Sequence, residues 1–463
     1  MGRLATGRWS LPEVNMAFVD NGVCPFDVAL ADAMQRAASH VAREQRPRLV
    51  VCSAVGGVTD LLLQAVACAR CGDDPAPFVG EIRARHGEIV AKLALDAGVL
   101  ARLDSELDRL LQGVGMLREL TPRVQDELVS LGERMSVRLF AAVLERSGLA
   151  ARAFDSWELG LQTDDRHGSA EVDPGCLGAV CEAVGGLEPG LVPVVTGFIG
   201  RGAGGAVTTL GRGGSDLSAA VLGAAVDAGE IQIWTDVPGI LRADPRVVGE
   251  AEIVPAIRFD EAAELAYFGA KVLHPRTIEP ARRRGIPVRV LGTFQVDPAR
   301  PVVEQGTLIH DAAPGEPVRA IALRRGVQSL HVCSSRMLQA PGFLSRVFDI
   351  LARHGISVDV IATSEVSVSM TFDRDEQNLA AAMGEIAGFA QVEHTPDRSI
   401  LCLVGTGIRE DTSILARIFG VLAKHRVPVH VISQGASRIN ITLVTEAPHG
   451  RNAMRALHQA FFG

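Results

Sequence analysis

Three short apolar runs, each closing on a glycine-bearing turn, limit what this chain can fold into more than any other feature. Residues 48–53 (RLVVCS) lead into Ala54-Val55-Gly56-Gly57, and leucines at 61, 62 and 63 follow in a helical stretch. Leu191 to Val195 lead to Gly197, and Ile231 to Trp234 lead to Thr235-Asp236-Val237-Pro238-Gly239, with Ala-rich helical stretches between. Short apolar runs bounded by turn residues read as strands buried on both faces, and strands alternating with helices build parallel crossover units. The pattern predicts an α/β sandwich on a mostly parallel sheet. Around Asp311 to Pro317 (DAAPGEP) the chain turns polar and Pro/Gly-rich, which predicts a linker.

Beyond that linker the tail repeats itself at an offset of 71 residues, so that Leu344, Phe348, Leu351, His354, Val358 and Ile361 meet Leu415, Phe419, Leu422, His425, Val429 and Ile432. Each copy reads as an amphipathic helix (FLSRVFDILARHG, ILARIFGVLAKHR) followed by one strand with a buried face (ISVDVIATSEVSVSMTF, VPVHVISQGASRINITLV). Two small α+β modules therefore close the chain. The expected division is 1–310, 311–390 and 391–463.

Composition removes several partner classes. A net charge of −8 gives no basic footprint for nucleic acid, and no apolar run approaches the roughly 18 to 20 residues of a membrane span. The N-terminal segment shows no apolar core of a secretion signal, so a cytoplasmic protein is expected. Eight scattered cysteines read as reduced thiols; Cys68 and Cys71 form a lone C-x-x-C in an Ala-rich helical stretch, and no metal site is expected. Lys92, Lys271 and Lys424 are the only lysines, with arginine carrying nearly all positive charge.

The segment richest in chemistry is Thr208-Thr209-Leu210-Gly211-Arg212-Gly213-Gly214-Ser215-Asp216, which opens an Ala-rich helix. Glycines let backbone approach an anion, and a helix start offers N–H groups and a favourable dipole. Arg212 suits a carboxylate, while Ser215 and Asp216 suit an ammonium or hydroxyl. The plainer reading is a glycine turn capped by Ser215 or Asp216.

The blocks VCSAVGGVTDLLL (51–63), ELVSLGERMS (127–136), IWTDVPGILRADPR (233–246) and FGAKVLHP (268–275), in this order around the glycine turn, closely resemble aspartate kinases of the amino-acid kinase family. The paired tail copies resemble that family's ACT modules, in particular those of its lysine-sensitive members. The resemblance implies phosphorylation of the side-chain carboxylate of L-aspartate by ATP with Mg²⁺. It also implies that Ser53, Thr59, Glu133, Phe198, Arg212, Ser215 and Asp216 surround aspartate. Thr235, Asp236, Arg246 and Lys271 would surround ATP, with Arg246 and Lys271 catalytic through the phosphates. The accepting carboxylate is already ionised at pH 7, so no general base is needed; positioning and charge neutralisation would carry catalysis.

One block departs from the family, which opens with a strand running into Lys-Phe-Gly-Gly-Thr-Ser-Val. Gly22-Val23-Cys24-Pro25-Phe26-Asp27-Val28 stand in that place, and no lysine precedes Lys92. Two other readings follow from this departure: an amino-acid kinase with another carboxylic substrate, and a catalytically impaired regulatory subunit. ATP turnover and a panel of carboxylic substrates separate them.

In lysine-sensitive relatives the effector lies against positions matched here by Met337, Gly342, Phe343, Leu344, Asp359, Ser364 and Glu365. The resemblance thus implies L-lysine as effector, with Asp359 pairing an ammonium. The structural alternative is that Met337, Phe343 and Leu344 are core and Asp359 is a solvated strand residue. Small modules with open sheet edges predict a homodimer or higher homo-oligomer.

Overall fold

The computed structural model describes residues 15–19, 30–44, 48–268, 275–334, 337, 341–374, 378–406, 408, 411–434 and 439–463. The chain packs into two compact units, residues 1–240 with 272–312, and residues 241–271 with 313–463.

In the first unit the three apolar runs are strands Arg48–Cys52, Val192–Thr196 and Glu230–Thr235. The sheet runs Ala151–Phe154, Val192–Thr196, Arg48–Cys52, Asn15–Val19, Glu230–Thr235, Val288–Gly292, Thr307–Ile309. All these neighbours are parallel except the last pair. Strands Arg48–Cys52, Val192–Thr196 and Glu230–Thr235 are buried except for the half-buried end residues Arg48 and Thr235, as a sheet covered on both faces requires. One layer of helices, Leu30–Arg43, Val58–Cys71, Ala76–Lys92, Ala101–Leu117 and Pro122–Arg146, closes a core around Met34, Leu62, Ile82, Leu107, Leu131 and Phe140. The expected α/β sandwich is the observed one.

The register places the ends of three strands in a row. Val19 pairs with Cys52 on one side and Trp234 on the other. Two strand spacings of about 4.8 Å therefore set Ser53 and Thr235 about 10 Å apart along one edge of the sheet. The chain leaving Val19 between them runs into Gly22–Val28, which lie outside the described residues.

In the second unit, strands Ala320–Cys333 and Gln391–Val404 pair antiparallel along almost their whole length. The sheet order is Ile361–Thr363, Ser367–Phe372, Ala320–Cys333, Gln391–Val404, Asn440–Glu446, Val431–Ser433. Each copy of the repeat holds a hairpin where one long strand was expected. In the first copy the turn at Ser364 makes the break, because its Oγ accepts the N–H of Val366 at 3.4 Å and of Ser367 at 3.1 Å. Packing follows the sheet rather than the chain. Val318 and Ile321 join Leu401, Leu403, Ile418, Leu443 and Met454 in one core, whereas Leu330 and Val332 join Val347, Leu351, Met370 and Ile386 in another. Strand residues 320–325 thus complete the later module, and the earlier one is inserted after them.

Helix Phe259–Tyr267 belongs to this unit and touches both modules at three-residue spacing. Buried Glu261 pairs with buried Arg319 at 3.0 Å and accepts from Thr406 Oγ1 at 2.7 Å. Glu264 accepts from Asn440 Nδ2 at 2.6 Å, and the Tyr267 hydroxyl donates to Asp359 Oδ1 at 3.3 Å. Arg319 also donates to the Pro314 carbonyl and pairs with Glu316, so the segment expected as a linker is pinned at its end. No described helix is long and apolar enough to cross a membrane.

Candidate active site

The carboxyl ends of parallel strands are where an open α/β sheet binds ligands, and several of the residues expected around the substrate lie there. The Gly197 N–H donates to the Cys52 carbonyl at 2.9 Å, which ties the turn after Val192–Thr196 to Ser53. Gly197 is required at this point, since a Cβ there would stand 2.7 Å from the Cβ of Ser215. Phe198 follows in the left-handed region at φ 63°, a strained setting for a bulky residue and one that recurs at functional sites. Its N–H donates to Ser218 Oγ at 3.0 Å, and its carbonyl accepts from the Leu210 N–H at 2.8 Å. Ser53, Phe198 and Ser215 are in this way brought onto one edge of the sheet, and Thr59 sits in the first turn of the helix that follows Gly57.

The glycine turn is built from two left-handed residues, Gly211 at φ 75° and Gly213 at φ 68°. Gly213 is the N-cap of helix Gly214–Ala225, and no side chain caps it. The cap is therefore Gly213, and neither Ser215 nor Asp216 occupies the capping position that the plainer reading gave them. Arg212 is exposed between the two glycines, and Asp216 lies in the first helical turn.

Glu133 lies on the buried face of helix Pro122–Arg146, reaching the turn after Cys52. Its Oε1 accepts the Ala54 N–H at 3.3 Å, while Oε2 is buried without a partner. Burial pushes its carboxyl pKa up to about 8, against the pull of that amide. Such an oxygen is costly to leave unpaired, and an ammonium group placed against it would recover that cost.

At the far end of the row, Thr235 Oγ1 donates to Asp236 Oδ1 at 3.2 Å. The Thr235 carbonyl accepts from Thr293 N–H at 2.8 Å, and the Asp236 carbonyl from Gln295 Nε2 at 3.0 Å. Arg246 belongs to the second unit, where it is exposed and forks onto Asp244 through Nε at 3.0 Å and Nη2 at 2.8 Å. Lys271 lies outside the described residues. No group of three or more His, Cys, Asp or Glu side chains that could hold a metal occurs among the described residues. Cys68 donates to the Asp74 carbonyl and Cys71 is exposed, both as free thiols.

Sequence reasoning missed Asp126, which joins the loop at 167–170 to Thr209 from behind the glycine turn. The signal was there: Asp126 precedes Glu133 by two helical turns and so shares its face.

Among the effector positions, Met337 and Ser364 lie toward one end of the first module, where the Ser334 N–H donates to the Val366 carbonyl at 2.9 Å. Glu365 is exposed there. Gly342, at φ 87°, is the N-cap of helix Phe343–Arg353, and Phe343 and Leu344 pack against the module's core. Asp359 sits further along the sheet, its N–H on the Thr371 carbonyl. It is not a solvated strand residue. Oδ1 pairs with Arg324 at 3.0 Å, Oδ2 is buried without a partner, and burial raises its pKa against the pull of Arg324.

Comparison with known proteins agrees with this architecture. The amino acid kinase family profile matches residues 19–292, and an ACT domain profile matches residues 330–383 and 401–461. Aspartokinase 1, chloroplastic, of Arabidopsis thaliana is 40% identical over 94% of this chain and 78% of its own length. The lysine-sensitive aspartokinase 3 of Escherichia coli is 39% identical over 94% of this chain and 97% of its own. The crystal structure of E. coli aspartokinase III in complex with aspartate and ADP superposes with a TM-score of 0.79 at 36% identity, covering 97% of this chain and 100% of that one. The same enzyme in complex with lysine and aspartate gives 0.78 at 35%, with the same coverage. The chain belongs to the amino acid kinase family and, within it, to the aspartokinases.

Proposed function

We propose that this aspartokinase holds L-aspartate as a zwitterion between the glycine turn and Glu133, and phosphorylates its side-chain carboxylate with ATP to give 4-phospho-L-aspartate. The observation that carries the site assignment is the buried, unpartnered Oε2 of Glu133 beside the turn that follows Cys52. Arg212 and the N-terminus of helix Gly214–Ala225 take the α-carboxylate. Glu133 takes the ammonium, and Ser53, Thr59, Phe198, Ser215 and Asp216 complete the surround. Thr235 and Asp236 bind the nucleotide, and Arg246 and Lys271 act on its phosphates. Mg²⁺ would arrive held chiefly by those phosphates and by water, the usual mode for this ion, and would neutralise phosphate charge. The protein's part is to orient the accepting carboxylate, which needs no proton removed.

Residues 1–310 form the catalytic portion, with 241–271 packed in the second unit, and 311–390 and 391–463 form the ACT modules, the later one completed by strand residues 320–325. We further assign L-lysine as effector of the first module, with the free oxygen of Asp359 as ammonium acceptor. A cytoplasmic homodimer or higher homo-oligomer completes the proposal. Titration calorimetry tests the substrate site. Arg212→Ala should weaken L-aspartate binding at least tenfold with Mg-ATP binding retained, and unchanged aspartate affinity would remove Arg212 from the site.

A further inference from the structure

Behind the glycine turn stands a carboxylate for which the phosphoryl-transfer reading has no use. Asp126 is only 3% exposed. Its Oδ1 accepts from Thr209 Oγ1 at 2.8 Å, and its Oδ2 accepts from the N–H groups of Thr209 at 3.2 Å and Gly168 at 3.0 Å. Oδ2 also bonds His167 Nδ1 at 2.8 Å. The Thr209 carbonyl in turn accepts the Ala170 N–H at 2.8 Å. Amide, hydroxyl and carbonyl of Thr209 are all engaged, and Thr209 is the last residue of strand Val207–Thr209. The next residue, Leu210, is fixed through its N–H to Phe198. The loop also backs the turn directly, since a Cβ on Gly211 would stand 3.3 Å from the Gly168 carbonyl oxygen.

The contrast with Glu133 is informative. The two carboxylates share one helix face, yet Asp126 has donors on both oxygens and Glu133 has one oxygen orphaned. A buried carboxylate so fully satisfied is a fixed point and not a ligand-seeking group. We infer that Asp126 is a positioning residue for the amino-acid substrate. It sets the direction in which the chain leaves Thr209, and so where Arg212 and the helix amides meet the α-carboxylate. The inference rests on the assignment of that turn to aspartate. Displacing such a recognition group by about 1 Å is enough to lose much of its value.

Steady-state kinetics on the full chain test this. Asp126→Asn keeps the size but replaces the charged acceptor of the Thr209 and Gly168 N–H groups by a neutral amide. It should raise KM for L-aspartate roughly ten- to a hundredfold and leave KM for ATP within about twofold. Thr209→Val, which removes only the hydroxyl, should give a smaller rise with the same selectivity. The double variant should be little worse than Asp126→Asn, because both act through one contact. Equal rises in both KM values, or a lowered Tm with KM for aspartate unchanged, would show a purely structural role and overturn the inference. If Asp126→Asn does not fold, Thr209→Val decides alone. Arg212→Ala run in parallel separates the two failures: unchanged aspartate KM there removes the substrate site itself, whereas a raised one beside an inert Asp126 removes only this inference.

Discussion

Glu133 shows how much one unsatisfied atom decides. With its carboxyl pKa pushed up to about 8 by burial, the group is mostly protonated at pH 7. An ammonium against Oε2 favours the charged form, so L-aspartate binding should release close to one proton near pH 7. Calorimetry in two buffers of different ionisation enthalpy reads this directly, and Glu133→Gln should abolish it. The same group sets a stability slope. Its folded pKa lies above its ordinary value of 4.5, so the stability contributed by the buried neutral acid is full below about pH 4.5 and is lost as pH rises toward 8. Glu133→Gln should therefore gain on the parent across that window, by on the order of a few kcal/mol, in denaturant midpoints at pH 5 and pH 8. Equal slopes would mean the carboxyl is not buried as described. The residue type was legible in the sequence through its block; the orphaned oxygen was not, because burial depends on the strands and turns that close over the helix.

Helix Phe259–Tyr267 makes the same point for a whole element. Its amphipathic pattern is visible in the sequence, but what Glu261, Glu264 and Tyr267 meet is set by residues far along the chain. Arg319 and Glu261 are both fully buried, so removing one leaves a buried charge unpaired. Arg319→Ala should cost about 3–5 kcal/mol, while the paired change Arg319→Met with Glu261→Leu should recover most of it. Chemical denaturation of the single and double variants measures the difference. A small loss for Arg319→Ala would show that Glu261 finds compensation elsewhere. Composition alone marked Asp311 to Pro317 as a linker, and it missed this anchor because the partner of Arg319 lies upstream at Glu261. The hairpin in the first module escaped for a different reason: period-two alternation continues through the turn at Ser364, and only the hydrogen bonds of that serine reveal the reversal.

Over the whole molecule, the parallel sheet and the paired tail modules were legible because each rests on a local period repeated several times. The nesting of the modules was not. Strand residues 320–325 pair with the far end of Gln391–Val404, a long-range choice that no local pattern encodes. If lysine is the effector, it must favour one conformational state, so saturating aspartate and lysine must change each other's affinity by the same factor. Equilibrium binding of each with and without the other tests this, and Asp359→Ala should remove lysine binding while sparing aspartate. The central claim is that this chain transfers phosphate to aspartate through the glycine turn. ADP release by the purified full-length protein, with the acyl phosphate trapped as its hydroxamate, tests it most directly. The account predicts ADP and hydroxamate formation that depends on L-aspartate and falls at least tenfold in Arg212→Ala at low aspartate. ATP turnover indifferent to aspartate, or an Arg212→Ala variant as active as the parent at every aspartate concentration, would contradict it.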